Sequence, residues 1–389
     1  MDLRQDLRIN MYDGLNFLVA DWADEIIRIQ TFATEHEDEL RLCERNCIFP
    51  IEIYKEMGRR GWIGPFASKD IGGLGGGVAE YCAIEEEVGR TGLVSPQISI
   101  QGQRWLLDWG TELQKEKYLG PIARGELIFS ESISEPGIGS SLKLMKTTAV
   151  KDGGDYLISG AKTHVNLGSQ SDVTLIYAIA EEGLTGFFVD MSMPGVSSKQ
   201  TDPIGLRLLP TADMFFDEVR VSKESVLGEV GHGMDTFLST FNVSRLGNAS
   251  ELIGFARRAM TEAIDYGKKR QVGNQNVVDF QGIQWAVSEM YSRTYAASLV
   301  RNRAANLIDQ GKEHALMTTL AKKLSIDAAE YTTSQVFSLI GGYGLYTNTA
   351  FMRLVNDTKV LRIAGGSLEI LANYIARRVL KSETLEGLR

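Results

Sequence analysis

The sequence predicts an α+β protein in which a helical N-terminal domain, a β-barrel-like middle domain and a C-terminal four-helix bundle follow one another. Three observations carry that expectation. Apolar residues recur at helical spacing from about residue 14 to 125; short β-rich runs then fill 127–226; helical spacing returns from about 234 to the end. The expected domain boundaries are 1–126, 127–230 and 231–389. A chain of 389 residues, 43% of them hydrophobic, is long enough to divide into units of this size, each with a core.

In the first part, Pro50 stands just before the helical pattern Ile51-Glu52-Ile53-Tyr54-Lys55-Glu56-Met57. The run Gly72-Gly73-Leu74-Gly75-Gly76-Gly77 suggests a phosphate loop at first sight. No strand precedes it and no Lys-Ser/Thr follows, so it reads as a plain loop. In the middle part, Leu127-Ile128-Phe129, Tyr156-Leu157-Ile158, Val173 to Tyr177, Gly186 to Val189 and Met214-Phe215-Phe216 are strand candidates. Gly, Asp, Asn and Ser punctuate them, which points to a compact antiparallel unit. In the last part, Ile253, Ala256, Met260 and Ile264 share one helix face, and Ile283, Val287, Met290 and Ala297 another; such stripes are packing core and imply a bundle.

The net charge of −9 argues against a nucleic-acid surface. Cys43, Cys47 and Cys82 cannot build a disulfide framework, and no His or Cys cluster follows them to make a metal site. No apolar run reaches the length of a membrane span. The start, Met1-Asp2-Leu3-Arg4-Gln5, carries no secretory core, so a reduced, cytoplasmic protein is expected.

Several segments could carry chemistry. Ser134-Glu135-Pro136-Gly137-Ile138-Gly139-Ser140 follows a strand, and its Pro and glycines turn the chain so that backbone can approach a flat ring; the plain alternative is a β-turn. Gly160-Ala161-Lys162-Thr163-His164-Val165-Asn166, Gly205-Leu206-Arg207, Gly231-His232-Gly233 with Phe241-Asn242-Val243-Ser244-Arg245, Arg270 with Gln281, and Gly341-Gly342-Tyr343-Gly344 follow in order. Arg245 offers a fixed donor fork for a phosphate or carbonyl, or else a surface ion pair. Near the end, Asp357-Thr358-Lys359 leads into Ile363-Ala364-Gly365-Gly366-Ser367-Leu368-Glu369-Ile370.

Along nearly the whole chain these segments resemble the acyl-CoA dehydrogenase family. The resemblance implies FAD as cofactor and an acyl-CoA thioester as ligand. Ile133 and Ser134 would touch the flavin, and Ser140 the FAD pyrophosphate or the thioester. His164 and Asn166 stand where the family places a Trp beside the isoalloxazine and a Thr bonded to it; His164 would pack there or move a proton. Asn242 and Arg245 would contact the CoA part. Arg270 and Gln281, with Gly341 and Gly342, would hold the FAD of a neighbouring subunit, although Gly273, Asn274 and Ser338 replace residues usual there. Ser367 and Glu369 match flavin-contacting positions. A homotetramer, fatty acid metabolism and electron-transferring flavoprotein as partner are further expectations of the resemblance.

One position departs. The family's signature carries a glutamate that removes the substrate's α-proton, and Gly365 stands in its place. Some members carry the base just before the conserved Arg instead; here that residue is Ser244. A positioned base contributes about 10²–10⁴ in rate, so its absence opens several readings. In one, a relocated carboxylate acts as base, with Glu86 and Glu87 as candidates from the N-terminal helices and Gln101, Gln103 and Asp108 around the expected pocket mouth. The enzyme could reduce an enoyl thioester, as the likeness to crotonobetainyl-CoA reductases suggests. It could be a non-redox lyase like 3-sulfinopropionyl-CoA desulfinase, although Leu93 stands where that enzyme has an active-site Arg. A non-catalytic flavin-binding protein is the remaining alternative.

Overall fold

Each end of the chain folds into helices because its apolar residues fall on single faces, and the middle into strands because its β-branched and aromatic residues alternate or run together. The computed structural model describes residues 11–382 apart from positions 21 and 140. The N-terminal helices are α1 (Trp22–Glu35), α2 (Glu37–Asn46), α3 (Ile51–Arg59), α4 (Val78–Thr91) and α5 (Gln97–Trp109). In α1, Trp22, Ile26, Ile29, Phe32 and Ala33 are buried at intervals of three and four. Helix α4 differs: every residue from Val78 to Gly89 is buried, including three consecutive glutamates.

The middle sheet contains β1 (Phe129–Ser132), β2 (Thr148–Asp152), β3 (Asp155–Asn166), β4 (Val173–Ala180), β5 (Gly183–Asp190), β6 (Val196–Gln200), β7 (Thr211–Ser222) and β8 (Val226–Leu227). The strand order is β6-β7-β3-β2-β4-β5-β8, with β1 alongside β4. The expected wholly antiparallel unit needs one correction. Strand β1 runs parallel to β4, pairing Phe129 with Val173 through Ser132 with Ile176, and β2 meets β4 in parallel at Thr148 and Ile179. Parallel neighbours need a long connection, and the chain between β1 and β4 supplies it by forming β2 and β3. One apolar layer of the sheet, with Leu175, Tyr177 and Phe188, joins the N-terminal helices in a shared core; another, with Ile158, Ile176, Phe187, Val189 and Phe216, forms its own.

The C-terminal part contains α6 (Gly233–Gly267), α7 (Gln281–Asp309), α8 (Ala315–Gln335), α9 (Phe351–Ile363) and α10 (Leu368–Lys381). Helices α6, α7 and α8 pack around Leu252, Phe255, Ala259, Met290 and Ile326, and the α9–α10 pair completes the bundle with Leu354, Leu361 and Leu371. Helix α6 also meets α4 backbone to backbone. A Cβ on Gly89 would collide with the Glu251 carbonyl, and one on Gly254 with the Glu86 carbonyl. That close approach ties the N-terminal helices to the bundle. The middle part is tied by Leu206, whose amide donates to Asp357 Oδ1 on α9 at 2.6 Å. Among the described residues no helix is long and apolar enough to cross a membrane.

Candidate active site

The loop after β1 is held from several sides. Glu135 N donates to Ile138 O at 3.0 Å and Ile138 N to Glu135 O at 2.8 Å, closing a two-residue turn at Pro136-Gly137. Gly137 has φ +81°, as the second central position of such a turn requires. The Glu135 carboxylate accepts from the amides of Lys146 (2.7 Å) and Thr147 (2.9 Å) and pairs with the buried Lys162 ammonium at 3.0 Å. Burial pushes this carboxyl up, but those hydrogen bonds outweigh it and hold it down to about 2. Burial also lowers Lys162, to about 8. Glu135 and Lys162 are therefore structural: they bind the loop to β3.

Beside this loop, β3 bulges. Its register against β7 slips between Lys162 and Val165, and His164 lies in the bulge at φ +57°. A left-handed histidine is strained and persists only where its surroundings impose it. Thr163 N donates to Ser134 O at 2.9 Å, so the bulge and the loop are one unit. Ile133 and Ser134 are half-buried, while His164 and Asn166 face outward from a strand whose Lys162, Val165 and Leu167 neighbours are buried. A Cβ on Gly137 or Gly139 would meet nothing within 4 Å. The result is an open shelf with a hydroxyl, an amide and an imidazole along it, which fits a flat polar ring. Ser140, expected at this shelf, lies outside the described residues.

The second wall is α6. Tyr177, Phe237 and Phe241 form a ladder, with ring centroids 5.9 Å and then 4.9 Å apart, and the Arg245 guanidinium sits 4.6 Å from the Phe241 centroid. Arg245 is no surface ion-pair residue. Its Nη1 donates to Asn242 Oδ1 (3.3 Å) and Thr319 Oγ1 (3.2 Å), and its Nε reaches Gly365 O at 3.5 Å. Ser244 Oγ accepts from Gln97 Nε2 at 3.3 Å.

Between α9 and α10 the chain turns through Gly365 at φ +70° and Gly366 at φ +98°. Lys322 on α8 donates to Ala364 O, so two cations pin this turn from α6 and α8. A Cβ on Gly365 would collide with Asn248 Nδ2 and stand 3.2 Å from Lys322 Nζ. Burial, then the Arg245 charge, pushes Lys322 down to about 7. Ser367 begins α10, and Glu369 is exposed and 3.5 Å from Arg362. Asn248 and Lys322 were absent from the sequence reading. The signal for Asn248 was available: it lies one helical turn beyond Ser244 and Arg245 on the same face.

The acids proposed from the sequence as replacement bases are engaged elsewhere. Glu86 pairs with Arg301 at 2.6 Å and with Arg257; Glu87 accepts from Tyr12 (2.6 Å), Gln30 (2.9 Å) and Arg90 (2.9 Å). Gln103 donates to Ile63 O at 2.6 Å, and Asp108 pairs with Arg104 on the same helix. Gln101 is buried and brings no base. Buried carboxyls do occur nearer the cleft. Glu85 accepts from Ser95 at 2.9 Å and is pushed up to about 8 by burial; Glu251 is raised by burial and by Glu85. Glu131 on β1, two residues before Ile133, has no cationic partner among the described residues, and burial raises it to about 8.

Arg270, Gln281, Gly341 and Gly342 are exposed at the far end of the bundle. Val277 N donates to Arg270 O at 2.9 Å, and Tyr266 stacks on Tyr343 at 4.8 Å, which brings these segments together. From Arg245 to the end of α6 at Gly267, a rise of 1.5 Å per residue gives about 33 Å. One chain therefore separates this group from the Gly365 turn.

Comparison with known proteins supplies the rest. The family models for the acyl-CoA dehydrogenase N-terminal, middle and C-terminal domains match residues 27–126, 130–219 and 231–380. A 3-(aryl)acrylate reductase of Clostridium sporogenes is 34% identical over 87% of this chain and 92% of its own length. A caffeyl-CoA reductase–Etf complex subunit of Acetobacterium woodii is 34% identical over 90% of this chain and 94% of its own. The crystal structure of an acyl-CoA dehydrogenase from Geobacillus kaustophilus superposes with a TM-score of 0.88 at 26% identity, covering 94% of this chain and 99% of that one.

Proposed function

The chain belongs to the acyl-CoA dehydrogenase family, and from that premise we propose that it is an FAD-dependent oxidoreductase that reduces the Cα–Cβ double bond of an enoyl-CoA thioester. FAD, when bound, supplies hydride transfer to or from the substrate's β-carbon. The shelf of Ile133, Ser134, His164 and Asn166 would hold its ring, and the wall of Phe241, Asn242 and Arg245 would hold the thioester ligand against it.

Gly365 and Ser244 leave both usual base positions without a carboxylate, and the observation that carries the direction is that the two relatives at 34% identity are named as reductases. Removing an α-proton needs a base, and Glu86 and Glu87 of α4 are tied into ion pairs. Once the β-carbon is reduced, the α-carbon is a strongly basic enolate, which water can protonate. Water can thus complete the reduction without a carboxylate, and since both directions share one transition state, the electron donor and not the missing base sets the direction. One of the two relatives belongs to a complex named with Etf, which supports electron-transferring flavoprotein as this chain's electron donor.

The distance from Arg245 to Arg270 supports the further reading that Arg270, Gln281, Gly341 and Gly342 serve the FAD of a neighbouring copy, Arg270 by its paired donors to a phosphate.

The test is a titration of the purified flavoprotein. Reoxidation of chemically reduced flavin by crotonyl-CoA or cinnamoyl-CoA is the expected result, with slow bleaching by the saturated thioesters. Product formation without any flavin redox change would replace this reading with a lyase, and absence of flavin would remove it.

A further inference from the structure

Asn248, Gln97 and Tyr81 have no role in the reading above. Asn248 is 3% exposed, and its side chain makes no hydrogen bond among the described residues. Its amide points at the Gly365 turn, into the room a side chain there would fill. Next to it, Gly247 faces the Tyr81 hydroxyl, which is buried and has no partner among the described residues. Gln97, which lies against the same glycine, donates to Ser244 O at 3.1 Å and Ser244 Oγ at 3.3 Å. This end of the cleft therefore presents uncharged hydrogen-bonding groups where a hydrocarbon acyl chain would want apolar ones. A buried polar group left unpaired costs about 1–3 kcal/mol. A plain alkyl group against Asn248 would keep that cost; an oxygen there would remove it.

The geometry points to Asn248 as a specificity-determining residue that hydrogen-bonds an uncharged oxygen, hydroxyl or carbonyl, on the acyl group beside Cα and Cβ. The assignment rests on the thioester reading of the site. An uncharged oxygen fits better than a carboxylate, because Gln97, Ser244 and Asn248 carry no charge and the two nearby cations are already engaged, Arg245 with Asn242 and Thr319 and Lys322 with Ala364 O.

The experiment is calorimetric binding of butyryl-CoA and 3-hydroxybutyryl-CoA to the FAD-loaded protein. One added hydrogen bond to a buried group is worth about tenfold in affinity. The hydroxylated ligand is expected to bind the wild type about tenfold more tightly, and N248V to lose that preference to within about twofold. N248S, which keeps a hydroxyl, is expected to retain part of it, and the flavin spectrum reports whether each variant is folded. Equal affinities in the wild type would overturn the assignment whatever the variants do, as would an undiminished preference in folded N248V. If neither thioester binds, the thioester reading itself fails and the assignment with it.

Discussion

Asn248 on α6 occupies the space that a side chain at Gly365 would need. The missing carboxylate is therefore not a simple vacancy: a second residue has grown into its place. The backbone at 365 is also left-handed, at φ +70°, a conformation that costs a residue with a Cβ roughly 1–2 kcal/mol. Restoring the glutamate alone should fail. G365E is expected to give no faster bleaching of the flavin by butyryl-CoA than the wild type. G365E/N248A, which clears the collision, is expected to bleach at least about tenfold faster than G365E, within the range a positioned base contributes. Stopped-flow absorbance of the flavin decides it, and equal rates in the two variants would show that the base position cannot be rebuilt.

Glu86 and Arg301 form a second informative pair. Both side chains are fully buried and 2.6 Å apart, and Arg301 also donates to Ser250 Oγ at 2.8 Å. Removing one partner of a buried pair costs about 3–5 kcal/mol when the other charge is left alone, and here Arg257 remains on the other oxygen of Glu86. R301A is expected to lower the unfolding free energy of the first step, measured by urea denaturation, by up to that amount. R293A is the control: its partner Glu289 is 48% exposed, and exposed pairs contribute about 0–1 kcal/mol. Comparable losses in the two variants would contradict the burial argument.

Much of this was legible in the sequence, for identifiable reasons. The order of helices and strands follows from periodicity, and the turn at Pro136-Gly137 from residues that need no tertiary help. Glu85-Glu86-Glu87 was not legible as core. Three acids in a row read as ordinary helix residues until Arg257 and Arg301, 171 and 215 residues along the chain, arrive to pair with Glu86. The left-handed turn at His164 was hidden too, since a non-glycine residue gives no signal for positive φ. Gly365 was visible as a departure, but only packing reveals that Asn248 and Lys322 converge on it.

Glu131 makes the stability depend on pH. Burial raises its folded pKa to about 8, whereas a carboxyl in the unfolded chain titrates near 4.3. The folded protein keeps a proton that the unfolded chain releases. Its contribution is fully present below about pH 4 and is lost as pH rises through about 8. E131Q, which cannot ionise, is therefore expected to melt higher than the wild type at pH 8 and to show a smaller difference at pH 5. Lys322, lowered to about 7, has the opposite slope above that pH; it is common to both proteins and cancels in the difference. Melting curves across pH 5–9 test this, and a difference that does not grow with pH would mean that Glu131 is ionised in the fold.

Arg270 tests whether the two ends of α6 serve one flavin or two. It lies past the end of a helix that carries it about 33 Å from Arg245. If each FAD spans two copies of the chain, Arg270 holds the phosphates of a flavin whose ring rests against the partner's shelf. R270A is then expected to weaken FAD binding at least about tenfold, since charge-assisted hydrogen bonds contribute about 1.5–3 kcal/mol. Thioester affinity of the FAD-saturated variant should stay within about twofold, because the Arg245 wall is untouched. Dilution should release FAD from the wild type in step with dissociation of the oligomer, followed by flavin fluorescence and light scattering on one sample. FAD retained by a dissociated wild-type chain would place the whole cofactor within one copy and assign Arg270 to the surface.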